Sequence, residues 1–143
     1  MKRGFELINN QGMMPTRATA GSAGYDFYLP EDTILLPSET KLIPTYLKAY
    51  MESDEVLLLI IRSSVAIKRH LVLTNQIGII DSDYYQNPDN DGHIHIALTN
   101  QGSEPIHLMR GERIVQGIFT NYLTTDQDNA SQSRKGGFGS SNN

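Results

Sequence analysis

Apolar residues in this chain come in short runs and alternations, broken every few positions by turn-forming residues. Read as extended segments, they predict strands over 5–8, 25–29, 33–36, 41–43, 55–61, 71–74, 79–80, 93–98, 106–109 and 113–122. Between them lie Pro30-Glu31-Asp32, Pro37-Ser38, Asn87-Pro88-Asp89-Asn90-Asp91-Gly92 and Gln101-Gly102-Ser103. Many short strands spaced this way predict an all-β barrel or sandwich. Only 64–70, with Val65, Ala66 and Ile67 beside Lys68 and Arg69, reads as a brief helix. Beyond Leu123 the pattern stops: from Thr124 to Asn143 the only apolar side chains are Ala130 and Phe138. Such a segment cannot bury enough apolar surface to offset its ordering entropy. The expected organisation is therefore a folded body, 1–123, followed by a mobile arm, 124–143.

Length and charge narrow this picture. A chain of 143 residues predicts one domain, large enough to hold a core without staples. With no cysteine there is no disulfide framework, zinc-thiolate site or thiol nucleophile, and the four histidines would bind metal only with carboxylate help. The longest apolar run, Val56 to Ile61, falls far short of the ~20 residues of a membrane helix. Lys2 and Arg3 lead into Gly4-Phe5-Glu6 with no apolar segment behind them, so no secretory signal is expected. A soluble cytoplasmic protein is the expectation, with no membrane partner. The formal charge of −4 argues against a nucleic-acid polymer, which needs a basic face. Asp126 and Asp128 cancel Arg134 and Lys135 in the arm, so the excess acid lies in the body.

Several clusters carry candidate chemistry. Asp81-Ser82-Asp83-Tyr84 follows an apolar stretch. If the strand continued, Asp81 and Asp83 would share a face and repel unless a cation or solvent intervened. One of them could act as a general base for water, and a polar turn after a strand would look the same. Arg62-Ser63-Ser64 stands where a strand gives way to the short helix, which suits an anion or a simple N-cap. Arg113, in Gly111-Glu112-Arg113-Ile114-Val115-Gln116, could pair with Glu112 or Glu104. His93 and His95 would lie on one strand face, without an evident third metal ligand. In the arm, Arg134 and Lys135 precede Gly136-Gly137-Phe138-Gly139-Ser140-Ser141, a ring framed by residues that let a ligand approach the backbone. Walker A and Rossmann fingerprints are missing.

In this order the segments resemble the five motifs of the homotrimeric dUTPase family. The first is similar to Ala20-Gly21-Ser22-Ala23-Gly24-Tyr25-Asp26 and the second to Arg62-Ser63-Ser64-Val65-Ala66. The third runs from Asn75 to Tyr84, the fourth from Gly111 to Gln116, and the fifth from Arg134 to Ser141. The resemblance implies a jelly-roll-like β-barrel of the β-clip type and a homotrimer with shared active sites. It also implies magnesium-dependent hydrolysis of dUTP to dUMP and pyrophosphate, which limits uracil in DNA and supplies dUMP for thymidylate synthesis. Asp81 then matches the carboxylate that activates water at the α-phosphorus, and Asp26 the one that holds a magnesium-bound water. Tyr84 matches the ring packed on deoxyribose, where a 2′-hydroxyl would clash. Asn75, the backbone at Ile79 and Ile80, and the segment Gly92 to His95 match the uracil pocket. Arg62, Ser63, Ser64 and Gln116 fall on the phosphate side. Phe138 matches the ring that stacks on uracil when the arm closes, with Gly139 and Ser140 near the γ-phosphate.

Three departures stand out. Ser64 and Val65 replace the commoner Gly and Leu, which implies a less tightly turned phosphate loop. The stretch from Tyr85 to Gly92 is longer than the usual compact hairpin, as if to extend the uracil-binding turn. Arg134 precedes Phe138 by four residues rather than five, leaving Arg134 or Lys135 for the γ-phosphate. Two other activities share parts of this pattern. A dCTP deaminase would need a general acid/base, usually Glu, where only Asp89 and Asp91 stand. A nucleotide-sensing module would have no need of Asp81.

Overall fold

The computed structural model describes residues 1–137. Its elements are β1 (Gly4–Leu7), β2 (Tyr25–Tyr28), β3 (Thr33–Leu35), β4 (Thr40–Pro44), β5 (Leu47–Tyr50), β6 (Glu55–Ile61), α1 (Ser63–Arg69), β7 (Leu71–Leu73), β8 (Ile77–Asp81), a 3₁₀ turn (Ser82–Tyr84), β9 (His95–Asn100), β10 (Ile106–Leu108) and β11 (Arg113–Asn121). The pairings are antiparallel and build a four-stranded sheet β2-β11-β6-β8, a three-stranded sheet β4-β9-β7, and the two-stranded ribbons β1-β5 and β3-β10. An all-β, jelly-roll-like architecture with one short helix is thus borne out. No helix among the described residues is long and apolar enough to cross a membrane.

The core sits between the sheets. Leu57 and Leu59 of β6 point inward with Phe27, Leu35, Leu47, Leu71, Leu98 and Val115, all essentially without solvent contact. Alternation puts Leu58 and Ile60 on the other side of the same strand. Register aligns Leu58 with Ile118 and Ile79, and Ile60 with Gln116 and Ile77. The outer face of the large sheet is therefore also apolar, and Ile79 is 63% exposed there. A near-continuous apolar strand normally has both faces covered.

Local differences from the sequence reading have local causes. β5 was not expected, because its four residues, Leu47-Lys48-Ala49-Tyr50, set a lysine between two apolar positions. That Lys48 is itself buried, its ammonium 2.7 Å from Asp91. The helix starts at Ser63 and ends at Arg69, with His70 in the left-handed region (φ 56°) closing it. The strand expected from 93 begins at His95, and the strand expected at 79–80 extends over Ile77–Asp81.

Candidate active site

Strand β8 delivers Asp81 to the edge of the large sheet, on the same face as Ile79 and Ile77. The chain then enters the 3₁₀ turn, so Asp81 and Asp83 do not share a strand face as expected. They are brought together by a cation instead. Arg134, from the segment beyond β11, places Nη2 2.5 Å from Asp81 Oδ2 and Nε 2.7 Å from Asp83 Oδ1. Its Nη1 donates to the Gly136 carbonyl at 3.1 Å. The hydrogen bond to Asp83 holds the guanidinium above its usual pKa, against the opposing effect of burial, and the charges of Asp83 and Asp81 add to it.

The same segment covers Tyr84. The Arg134 guanidinium carbon lies 5.9 Å from the Tyr84 ring centroid. Gly136 and Gly137 are buried, and a Cβ on Gly137 would sit 2.8 Å from Tyr84 Cε1, so this approach requires glycine. The Tyr84 hydroxyl donates to the His93 carbonyl at 2.8 Å. His93 and His95 rings are 4.2 Å apart, and His95 Nδ1 lies 3.2 Å from that same His93 carbonyl. The backbone N–H of Tyr46 donates to His93 Nε2 at 3.0 Å, which requires that nitrogen unprotonated. Burial, and secondarily the neighbouring His95, push the His93 pKa down.

A second cluster forms at the other end of the sheet. Asp26, largely buried on β2, faces two arginines at 3.4 Å: Arg62 through Nε and Arg113 through Nη1. Arg113 thus pairs with Asp26 rather than Glu112 or Glu104, and Glu112 pairs with Arg69. Gln116 stands opposite Asp26 in the β2–β11 ladder. Ser63 and Ser64 are exposed beside Arg62, and neither caps the helix, whose N-cap position is Arg62.

Distance separates the two clusters. Asp26, Gln116, Ile60 and Ile77 form one row across four strands, and Asp81 lies four residues farther along β8. Three strand spacings of ~4.8 Å and four rises of ~3.3 Å place Asp26 about 19 Å from Asp81. Asn75 precedes β8, exposed in the turn beyond Ile77, so it too is distant from Asp81 and Tyr84. Ile79 and Ile80 point to opposite faces, Ile80 toward the core. The structure brings Asp81, Tyr84, His95 and Arg134 into one neighbourhood and Asp26, Arg62, Ser63, Ser64 and Gln116 into another. Lys135 is exposed next to the first. Phe138, Gly139 and Ser140 lie outside the described residues.

A family model for dUTPase matches residues 10–142. The chain belongs to the dUTPase family. The deoxyuridine 5′-triphosphate nucleotidohydrolase of Lactococcus lactis subsp. lactis is 47% identical to it over 144 residues, covering 96% of this chain and 96% of that protein. A dUTPase crystal structure from Streptococcus mutans is 45% identical with a TM-score of 0.81, covering 86% of this chain and 98% of that one. The dUTPase of Staphylococcus aureus phage phi11 shares the fold, with a TM-score of 0.76 at 22% identity, over 92% of this chain and 98% of that one. That structure, of a mutant of the phage protein, shows the coordination of a structural Mg(II) ion. Two features within this family member escaped the sequence reading. Asp83 shares Arg134 with Asp81, and Asn90 reaches the Tyr84 hydroxyl at 2.8 Å. The run of Asn and Asp around Pro88 was visible as turn chemistry, but nothing in it pointed to Tyr84.

Proposed function

We propose that this chain hydrolyses dUTP to dUMP and pyrophosphate with Asp81 as the general base, limiting uracil in DNA and supplying dUMP for thymidylate synthesis in the cytoplasm. The observation that carries the assignment is an outward-facing carboxylate, Asp81, set beside the buried Tyr84 and already engaged by an arginine from the C-terminal segment. Water held by Asp81 attacks the α-phosphorus, its proton passes to the carboxylate, and the bond to the bridging oxygen breaks to release pyrophosphate. Arg134 is released from Asp81 and Asp83 toward the phosphates, with Lys135 alongside. Residues 124–143 act as a mobile arm in this reading, and Phe138, Gly139 and Ser140 close over uracil and the γ-phosphate. The backbone at Ile79 and Ile80 and His95 recognise the base, and Asn75, distant from Tyr84 within one chain, reaches it from another copy.

The separation of the two clusters supports a homotrimer with shared sites. The phosphates of one nucleotide are contiguous, so Asp81 and the Asp26–Arg62–Gln116 group serve the same dUTP only if they come from different copies. The apolar face that joins them, with Ile77 and Ile79 exposed and Leu58, Ile60 and Ile118 half-buried, is the surface another copy would cover. Among the described residues no three His, Asp or Glu side chains converge to hold a metal. Asp26, shared between two arginines at 3.4 Å, retains acceptor capacity and fits contact with magnesium through water rather than direct coordination. When bound with the triphosphate, magnesium offsets phosphate charge. Arg62, Arg113 and Gln116 orient the phosphates, with Ser63 and Ser64 as hydroxyl donors.

Pyrophosphate release from dUTP, dCTP, dTTP and UTP, with Mg²⁺ and then with chelator, tests this. Release from dUTP alone, lost on chelation, is expected. Ammonia rather than pyrophosphate from dCTP would identify a deaminase instead, and binding without turnover a sensor.

A further inference from the structure

The extended stretch after Tyr84 does not open outward as a longer uracil turn; it curls back onto Tyr84. Asn87, 5% exposed, donates through Nδ2 to the Tyr84 carbonyl at 2.8 Å and to Asn90 Oδ1 at 2.7 Å. Its Oδ1 accepts the backbone N–H groups of Asp89 and Asn90 at 3.0 and 3.1 Å. Asn90 Oδ1 also accepts the Gly92 N–H at 3.1 Å, which leaves its Nδ2 aimed at the Tyr84 hydroxyl, 2.8 Å away. That hydroxyl donates to His93, so both its functions are fixed from outside the ring.

The curl is made by left-handed backbone. Gln86 and Asp91 have φ of 56° and 61°, and position 92, with φ of 85° and a Cβ site only 2.9 Å from the Tyr84 carbonyl, requires its glycine. Lys48 ties the far side of the curl to β5 through Asp91, and its ammonium lies 5.4 Å from the centroid of the Tyr85 ring, whose hydroxyl bonds Glu6. These constraints converge on a phenol that Arg134 and Gly137 also approach, Gly137 from the side of its hydroxyl.

We infer that Asn90 is a positioning residue for sugar selection: it clamps the Tyr84 hydroxyl and so fixes where the ring stands against the sugar C2′. This rests on the reading that Tyr84 packs on deoxyribose. A ring free to retreat would admit a 2′-hydroxyl, so loss of the clamp lowers selectivity rather than stability alone. Asn90 touches no reacting atom.

The test compares kcat/KM for dUTP and UTP in the full chain carrying Asn90→Ala, Tyr84→Phe, both together, and Tyr84→Ala. Asn90→Ala is expected to lower the dUTP/UTP ratio roughly five- to tenfold, the factor of one neutral hydrogen bond. Tyr84→Phe, which also loses the bond to the His93 carbonyl, should lower it at least as far, and Asn90→Ala should add nothing in the Tyr84→Phe background. Tyr84→Phe leaves the curl's own Asn contacts in place, so an unchanged ratio there overturns the clamp even where Asn90→Ala folds poorly. If Tyr84→Ala lowers the ratio while Asn90→Ala and Tyr84→Phe leave it within twofold, the clamp is overturned and the sugar-packing role of Tyr84 stands. An unchanged ratio in Tyr84→Ala overturns that role and the clamp with it.

Discussion

Replacing Asp81 with asparagine separates the chemistry of this carboxylate from its contact with the arm, because the two effects differ in size. A positioned general base is worth ~10² to 10⁴ in rate, or about 3 to 5 kcal/mol at 1.36 kcal/mol per tenfold. The ion pair that Asp81 makes with Arg134 is smaller in effect. The Asp81 side chain is 52% exposed, and Arg134 keeps Asp83 at 2.7 Å as a second partner. An ion pair so open to solvent contributes at most about 1 kcal/mol, or roughly fivefold in an arm-docking equilibrium. The amide oxygen introduced by the substitution would still accept from the guanidinium. D81N should therefore reduce single-turnover pyrophosphate release at least a hundredfold while changing the affinity for a non-hydrolysable dUTP analogue less than fivefold. Rapid-quench kinetics and calorimetric titration read the two quantities separately. Turnover reduced less than tenfold, or affinity falling in parallel with rate, would falsify the assignment of Asp81 as base.

Three further outcomes follow from other parts of the molecule. Asn100 has no solvent exposure and serves three backbone groups: Nδ2 donates to the Leu35 and Glu104 carbonyls and Oδ1 accepts the Gly102 N–H. Asn100→Ala should cost about 3 kcal/mol by orphaning them, measured as a lower urea midpoint with an unchanged slope. The His93 pKa is depressed in the folded chain, so the unfolded chain takes up the proton first. Stability should be full above about pH 6.5 and fall as pH drops toward the folded value. His93→Gln, which keeps an acceptor for the Tyr46 N–H but does not titrate, should flatten that part of the profile; an unaltered pH slope counts against the account. Ile77→Lys puts a charge on the exposed apolar face of the large sheet; on the proposal that this face joins copies in a homotrimer, sedimentation velocity should show a shift from trimer toward monomer with retained circular dichroism.

Much of this was legible because a strand repeats every two residues, and the repeat survives in sequence. Glu55–Ile61 and Arg113–Asn121 could be placed closely for that reason. Leu47–Tyr50 could not, since the lysine between its apolar residues is buried only because Asp91, 43 residues away, neutralises it. Candidate site residues were legible as types and order, with Asp81, Tyr84 and Arg134 each recognisable within a motif. Their partners were not. Nothing local says that Arg113 reaches back 87 residues to Asp26 or that Arg134 bridges Asp81 and Asp83. The segment Asn87–Gly92 shows the same limit: its Asn and Asp residues predict a turn, but only the left-handed backbone at Gln86 and Asp91 turns it onto Tyr84.

The span of about 19 Å between Asp81 and Asp26 has a genetic consequence. On the shared-site reading, a lesion at Asp81 and a lesion at Arg62 spoil different halves of the same site. Two inactive chains, each carrying one of these lesions, can assemble so that some sites draw an intact Asp81 from one and an intact Arg62 from the other. Co-expressed, such alleles complement, whereas two lesions at the Asp81 end do not. With sites shared in this way, the separation along one sheet would make this protein's inheritance of defects a property of the assembly rather than of the single chain.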